Sequence, residues 1–143
     1  MSRFWRPLYR STLHLLPDAE EVAEFARLVD DTIRTHAPDF ASGFVAESAQ
    51  KLRRLPQYYA ARLGLAAFPP VACNAPWISA VIEADGAVRP CFFQRAVGDL
   101  RDKPLRKILN GEMVAFRAGL QVRENAVCAT CVCALNMNLR TPL

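Results

Sequence analysis

The sequence contains no run of about 18 apolar residues, so we expect no membrane-spanning helix. No continuous apolar stretch follows the charged amino end, so we expect no signal peptide and a cytoplasmic protein. Because the cytosol keeps thiols reduced, the five cysteines are not expected to form a disulfide framework. Internal repeats and low-complexity tracts are also missing from the sequence, which argues against a repeat architecture or a disordered tail.

The sequence has only a small excess of positive over negative charge. Eighteen Lys and Arg residues against fourteen Asp and Glu residues leave a net charge of +4. Nucleic-acid binding would need these cations in a basic stripe, and the nearest candidate is residues 1–10, where three arginines alternate with aromatic side chains. Since chain termini are more often loose or docked than used as binding arms, we do not expect nucleic-acid binding.

The 143 residues, 52% of them apolar and 22% charged, are enough to bury a core. Asp18 and Glu21 form a capping-box pattern before a helix predicted over about 19–36. A second helix is predicted from Phe44 to about residue 55, where Pro56 interrupts it and opens a third short helix. Gly64 is expected to end that third helix.

The following segment predicts a β-hairpin. Two β-prone stretches flank Asp85-Gly86, and a two-residue loop there would place Ile82 opposite Arg89 and Ala80 opposite Cys91. Residues 94–102 are predicted to form a loop, and a helix is expected from Pro104, with an interruption at residues 110–111. The predicted fold class is therefore α+β, with N-terminal helices followed by a β-hairpin and helix.

All five cysteines lie between residues 73 and 133. Cys128 and Cys131 have the spacing with which one turn presents two thiolates to one metal centre, and Cys73 and Cys91 could join them. Cys73 can reach Cys91 only if the chain folds back near residues 74–76. Spacing alone leaves three interpretations open: one iron–sulfur cluster, a structural zinc, or buried cysteines without a ligand. Cys133 would be a spare thiol, an alternative ligand or a buried residue.

Residues 68–137 resemble the SPASM/twitch auxiliary domain that follows the barrel in many radical SAM enzymes. Cys73, twelve intervening residues, Gly86, four more residues and Cys91 follow that family's spacing, and residues 98–100 look like its Gly-Asn-Leu loop. With only five cysteines, the chain is more similar to the shorter twitch version, which holds a single four-iron cluster, than to a full SPASM domain with two clusters. The resemblance therefore implies one 4Fe-4S cluster, with these ligands: Cys73, Cys91, Cys128 and Cys131, with Cys133 as a possible alternative.

The same resemblance divides the chain into residues 1–67, a helical linker like the end of a radical SAM barrel, and residues 68–143, the cluster domain. The Cys-x-x-x-Cys-x-x-Cys motif that binds S-adenosylmethionine is missing, because Glu124 stands where its first cysteine would be. We therefore expect no S-adenosylmethionine site and no independent radical chemistry, so whether the chain acts as an enzyme stays open. The expected partners are a radical SAM core protein or a peptide substrate.

Two functions are carried forward from the sequence. The first is an auxiliary iron–sulfur module that relays electrons or supports a substrate site for a separate or lost catalytic core. The alternative is a zinc-stabilised module that binds a peptide or nucleic acid and has no redox role. A third interpretation is a non-functional remnant of a longer enzyme.

Side chains next to the cysteines have two interpretations each. Trp77, Phe92, Phe93 and Val132 either exclude water from the centre or belong to the core. Arg89 either pairs with an anionic substrate or partner, or is a solvated charge.

Overall fold

A computed structural model describes residues 16–136. The chain divides between Pro69 and Pro70 into two compact units, which are described separately. The candidate basic arm at residues 1–10 lies outside the described residues. The first unit contains the helices α1 (Ala19–Thr35), α2 (Ala37–Ser42) and α3 (Ala49–Arg62). The second unit contains α4 (Ala75–Ile78), β1 (Val81–Ile82), β2 (Ala87–Arg89), β3 (Gly98–Asp99), α5 (Leu105–Asn110), α6 (Glu112–Gly119) and α7 (Ala126–Ala129). Helices with one small antiparallel sheet confirm the predicted α+β class. Among residues 16–136, no helix combines the length and the apolar character that a membrane crossing requires.

The capping box predicted for α1 is confirmed. The Asp18 carboxylate accepts the backbone N–H groups of Glu20 and Glu21, and the Glu21 carboxylate accepts the Asp18 N–H at 2.8 Å. These bonds satisfy amides that a helix start would otherwise leave without partners. Val22 and Val29 are buried on the face of α1 that packs against α3.

The break predicted at Pro56 is wrong. Helix α3 begins after its N-cap Ser48 and continues through Pro56 to residue 62, while Phe44 lies outside it and is exposed. Proline cannot donate the helical N–H, but Pro56 is buried, so packing outweighs the local penalty here. Gly64 has a φ of +76° and ends the helix as predicted.

The hairpin forms with a different loop from the one predicted. Its register pairs Val81 with Arg89 and Ile82 with Val88, one residue away from the expected pairing. The loop has three residues, 84–86, with Gly86 at a φ of +90°. A three-residue loop with a left-handed final residue is a common alternative to the two-residue turn. Because β2 ends before Cys91, the predicted pairing of that cysteine with Ala80 is also wrong.

A third strand lies in the segment that the sequence predicts to be a loop. Strand β3 pairs antiparallel with β2, with Ala87 opposite Asp99 and Val88 opposite Gly98. The Asp99 carboxylate accepts the backbone N–H and the guanidinium Nε of Arg101, and these bonds lower the pKa of Asp99 to about 2. The Leu100 N–H donates to the Gly86 carbonyl at 2.9 Å and holds the end of β3 beside the hairpin loop.

The core of the second unit joins the sheet to the predicted helix pair. Val88, Ile108 and Met113 are fully buried and pack together. Gly98 lies directly against Ile108, because a Cβ at that position would come within 2.9 Å of the Ile108 Cγ2. The helix predicted from Pro104 and its interruption near residue 111 are both confirmed.

We expect Gly86→Ala to destabilise the second unit by about 1–3 kcal/mol. The alanine would have to adopt a positive φ, and its Cβ would lie 3.1 Å from the Asp99 Oδ1. Gly119→Ala is the matched control, because Gly119 ends α6 with open space around it and gains helix propensity from the change. The two thermal unfolding temperatures, measured without oxygen, check this; an equal effect of the two substitutions would contradict it.

Candidate metal centre

The backbone turns back immediately after Cys73. Helix α4 has Pro76 in its first turn, and the Trp77 N–H donates to the Asn74 carbonyl at 2.9 Å. The Arg117 Nε donates to the Pro76 carbonyl at 2.6 Å and so ties α6 to this turn. The predicted fold-back near residues 74–76 is therefore confirmed.

Helix α7 and the turn that follows it present the second pair of cysteines. Its N-cap Asn125 accepts the backbone N–H groups of Val127 and Cys128 through Oδ1, each at 3.1 Å. The Cys131 N–H then donates to the Cys128 carbonyl at 3.0 Å. A short capped turn of this kind holds two thiols separated by two residues on the same side of the chain.

Four cysteines from three separate segments line one small cavity in the second unit, of about 20 Å³. They are Cys73, Cys91, Cys128 and Cys131. Cys128 is buried, the other three are half-buried, and Cys133 is exposed and does not line the cavity. Within residues 16–136, no three or more Cys, His, Asp or Glu side chains are gathered around a single metal-ion position. The space between the sulfurs depends on their χ1 rotamers as well as on the backbone.

Burial raises the pKa of the Cys128 thiol above its usual range. The amide of Gln94 acts in the opposite direction, and the charges of Cys91, Cys73 and Cys131 raise the pKa further. The other three cysteines are therefore close enough to Cys128 to oppose its ionisation. A bound cation would reverse this, because its positive charge favours thiolates.

Gln94 is the residue at this site that the sequence interpretation misses. Its side-chain Nε2 lies 3.2 Å from the Cys128 Sγ and 3.1 Å from the Asn125 Oδ1. Both partners lie more than thirty positions further along the chain, so no local pattern in the sequence indicates the contact. The one signal in the sequence is that Gln94 lies three residues after Cys91, a candidate ligand.

The aromatic residues next to the cysteines contribute less than predicted. Phe92 is 74% exposed, so it neither belongs to the core nor shields the cavity. Trp77 and Phe93 are also exposed, although Phe93 does line the cavity. The other apolar walls come from smaller side chains that the sequence analysis did not select: Val71, Pro76, Val122 and Val127.

Arg89 is used inside the fold. Its guanidinium lies 2.9 Å from a Glu83 carboxylate oxygen, at an angle that does not make a hydrogen bond through Nε. Its Nη1 donates to the Gln94 carbonyl at 3.0 Å. The solvated interpretation of Arg89 is therefore wrong: this side chain connects the hairpin to the segment after Cys91.

Four soft thiol donors beside apolar walls have the chemistry of a thiolate-bound metal or iron–sulfur centre. Among residues 16–136 they line one cavity, although no three of them surround a single ion position. The class of the domain follows from comparison with known families. Residues 73–132 match the family model of an iron–sulfur cluster-binding domain, which is the SPASM domain. This match confirms, for residues 73–132, the resemblance to the SPASM domain found in the sequence. The match includes all four lining cysteines and excludes Cys133. Searches of curated proteins and of solved structures found no significant match.

Proposed function

We propose that this chain is an auxiliary module that holds one 4Fe-4S cluster of the twitch type and serves a radical SAM catalytic core. The proposed ligands are the four cysteines of the cavity: Cys73, Cys91, Cys128 and Cys131. The observation that carries the proposal is that these thiols come from three segments of the SPASM match and line the same space. The proposed role is to relay electrons to or from a substrate, or to support the substrate site.

Each part of the cavity has a task in this proposal. A four-iron cluster, when bound, supplies one-electron transfer. Cys128 provides the buried thiolate, and the three half-buried cysteines provide ligands nearer the surface. The apolar walls limit the access of water to the sulfurs, which strengthens electrostatic interactions there.

The number of cysteines supports a single cluster. Two all-cysteine four-iron clusters would need eight ligands, and the sequence has five cysteines. Radical generation in this proposal comes from a core carried outside residues 1–143, because the Cys-x-x-x-Cys-x-x-Cys motif is missing from them. A radical SAM core protein and a peptide substrate are the proposed partners.

Metal and sulfide analysis of the full chain, purified without oxygen, tests the proposal. We expect a brown protein with a broad absorbance band near the blue end and about four iron and about four sulfide ions per chain. About two iron and about two sulfide ions per chain, the content of a 2Fe-2S cluster, would contradict the four-iron assignment. Co-purification with a separate radical SAM core would support the proposed partner.

A structural zinc site is the second candidate, because four thiolates also satisfy tetrahedral zinc. In that case the chain would be a zinc-stabilised module that binds a peptide or nucleic acid. The expected product would be colourless and contain one zinc with no sulfide. That result would replace the redox proposal, since zinc does not change its oxidation state.

A further inference from the structure

We infer that Gln94 donates a side-chain N–H hydrogen bond to the Cys128 sulfur and thereby raises the reduction potential of the bound cluster. The inference rests on the proposed function, because it requires Cys128 to be a cluster ligand. Gln94 acts through that ligand and is therefore a positioning residue. Its contact with the sulfur is seen at 3.2 Å.

Burial makes this hydrogen bond significant. Gln94 is only 5% exposed. Among residues 16–136 it is the one polar or charged residue that is buried. An amide without partners in such a place would lose its hydrogen bonds to water and gain none in return, at a cost in stability. The amide nitrogen avoids that cost by facing both the Asn125 Oδ1 and the Cys128 Sγ.

The orientation of the Gln94 amide follows from its surroundings. The Asn125 side-chain atom that faces it accepts the backbone N–H groups of Val127 and Cys128, so that atom must be the oxygen. An oxygen needs a donor opposite it, so the Gln94 atom 3.1 Å away must be the nitrogen. Since an amide nitrogen carries two hydrogens, the second is available to the Cys128 sulfur.

The backbone of Gln94 is also held in place. Its carbonyl accepts the Arg89 Nη1 at 3.0 Å, and the Arg89 guanidinium pairs with Glu83. These contacts connect the segment after Cys91 to the hairpin. The donor is thus fixed from both its main chain and its side chain, as a preorganised hydrogen bond to a ligand requires.

The sign of the effect follows from charge. One-electron reduction increases the negative charge shared by the ligand sulfurs, so a donor to a sulfur stabilises the reduced state more than the oxidised state. Removing the donor should lower the ratio of reduced to oxidised cluster about tenfold, when the two proteins are compared at the same solution potential. For a one-electron couple this corresponds to about 59 mV.

Gln94→Met tests the inference, because methionine has a similar length and no N–H donor. We expect iron and sulfide contents near those of the unsubstituted protein and the lowered potential given above, measured by spectroelectrochemical titration of the full chain. Gln94→Glu should lower the potential further, because a carboxylate near the sulfur adds negative charge. Gln121→Leu is the control: this exposed glutamine does not line the cavity, and its loss should leave the potential unchanged.

A spectroscopic measurement keeps the inference testable if the substituted proteins fail to fold. Protein labelled with ¹⁵N only in glutamine side chains should show a nitrogen coupling to the reduced cluster by pulsed electron paramagnetic resonance. Lack of that coupling, or an unchanged potential in a cluster-loaded Gln94→Met protein, would overturn the inference and leave the proposed function standing. A full chain that binds no iron and sulfide would instead overturn the proposed function.

Discussion

Cys128→Ala is expected to remove most of the bound iron and sulfide. Cys128 is 8% exposed, lines the cavity with the other three cysteines and lies in a capped helix that restricts its position. Alanine would leave three thiolates and a gap on the buried side of the site. Iron, sulfide and the visible absorbance band, measured on protein purified without oxygen, check this result.

Cys133→Ala is the matched control for that experiment. Cys133 is exposed, does not line the cavity and lies just beyond the SPASM match. We expect this protein to retain most of its iron and sulfide. Equal losses from the two substitutions would show that the ligand assignment is wrong and that Cys133 takes part in binding.

Ile108→Ala is expected to reduce the stability of the second unit by about 2–5 kcal/mol. Ile108 is fully buried with Val88 and Met113, and truncation would leave a cavity between the sheet and α5. Ile82→Ala is the control. Because Ile82 is 49% exposed, this substitution should reduce the stability of the second unit much less. Thermal and urea unfolding of the cluster-loaded proteins, both followed without oxygen, give the comparison; equal losses would contradict the assignment of the core.

The contact between Gly98 and Ile108 provides an internal check on that core. Gly98→Ala should cost about 1–3 kcal/mol, because its Cβ would overlap the Ile108 side chain. Combining it with Ile108→Ala should cost less than the sum of the two, since the shorter side chain makes room for the new methyl group. Simple additivity would show that the two residues are not in contact.

The sequence predicts the helix boundaries best where local interactions decide them. The capping box at Asp18 and the stop at Gly64 involve residues within five positions of one another, so their patterns are readable directly. At Pro56 the local preference is overruled, because burial of the proline depends on how α3 packs against another helix.

The hairpin and the third strand show where local patterns are ambiguous. Asp85-Gly86 suits a two-residue turn, but Gly86 with a positive φ also suits the end of a three-residue turn, and the two possibilities differ in register. Strand β3 has two residues and contains a glycine, so neither its length nor its composition indicates a strand.

The candidate site, like the fold, is predicted by the sequence only in part. Cysteine spacing selects Cys73, Cys91, Cys128 and Cys131 as a set, and the structure places these four around one cavity. The contact of Gln94 with Cys128 could not be predicted, because it depends on how two distant segments pack. The apolar walls were also missed, because Val71, Pro76, Val122 and Val127 lie in separate segments that only the folded chain brings together.

The order in which the cysteines lie along the chain has a consequence for biosynthesis. Cys73 and Cys91 leave the ribosome before α5 and α6 are made, and Cys128 and Cys131 follow only after both helices. The complete set of thiols therefore exists only when nearly the whole second unit has been translated. If these four cysteines hold the cluster as proposed, its insertion can be completed only after nearly the whole second unit has been synthesised.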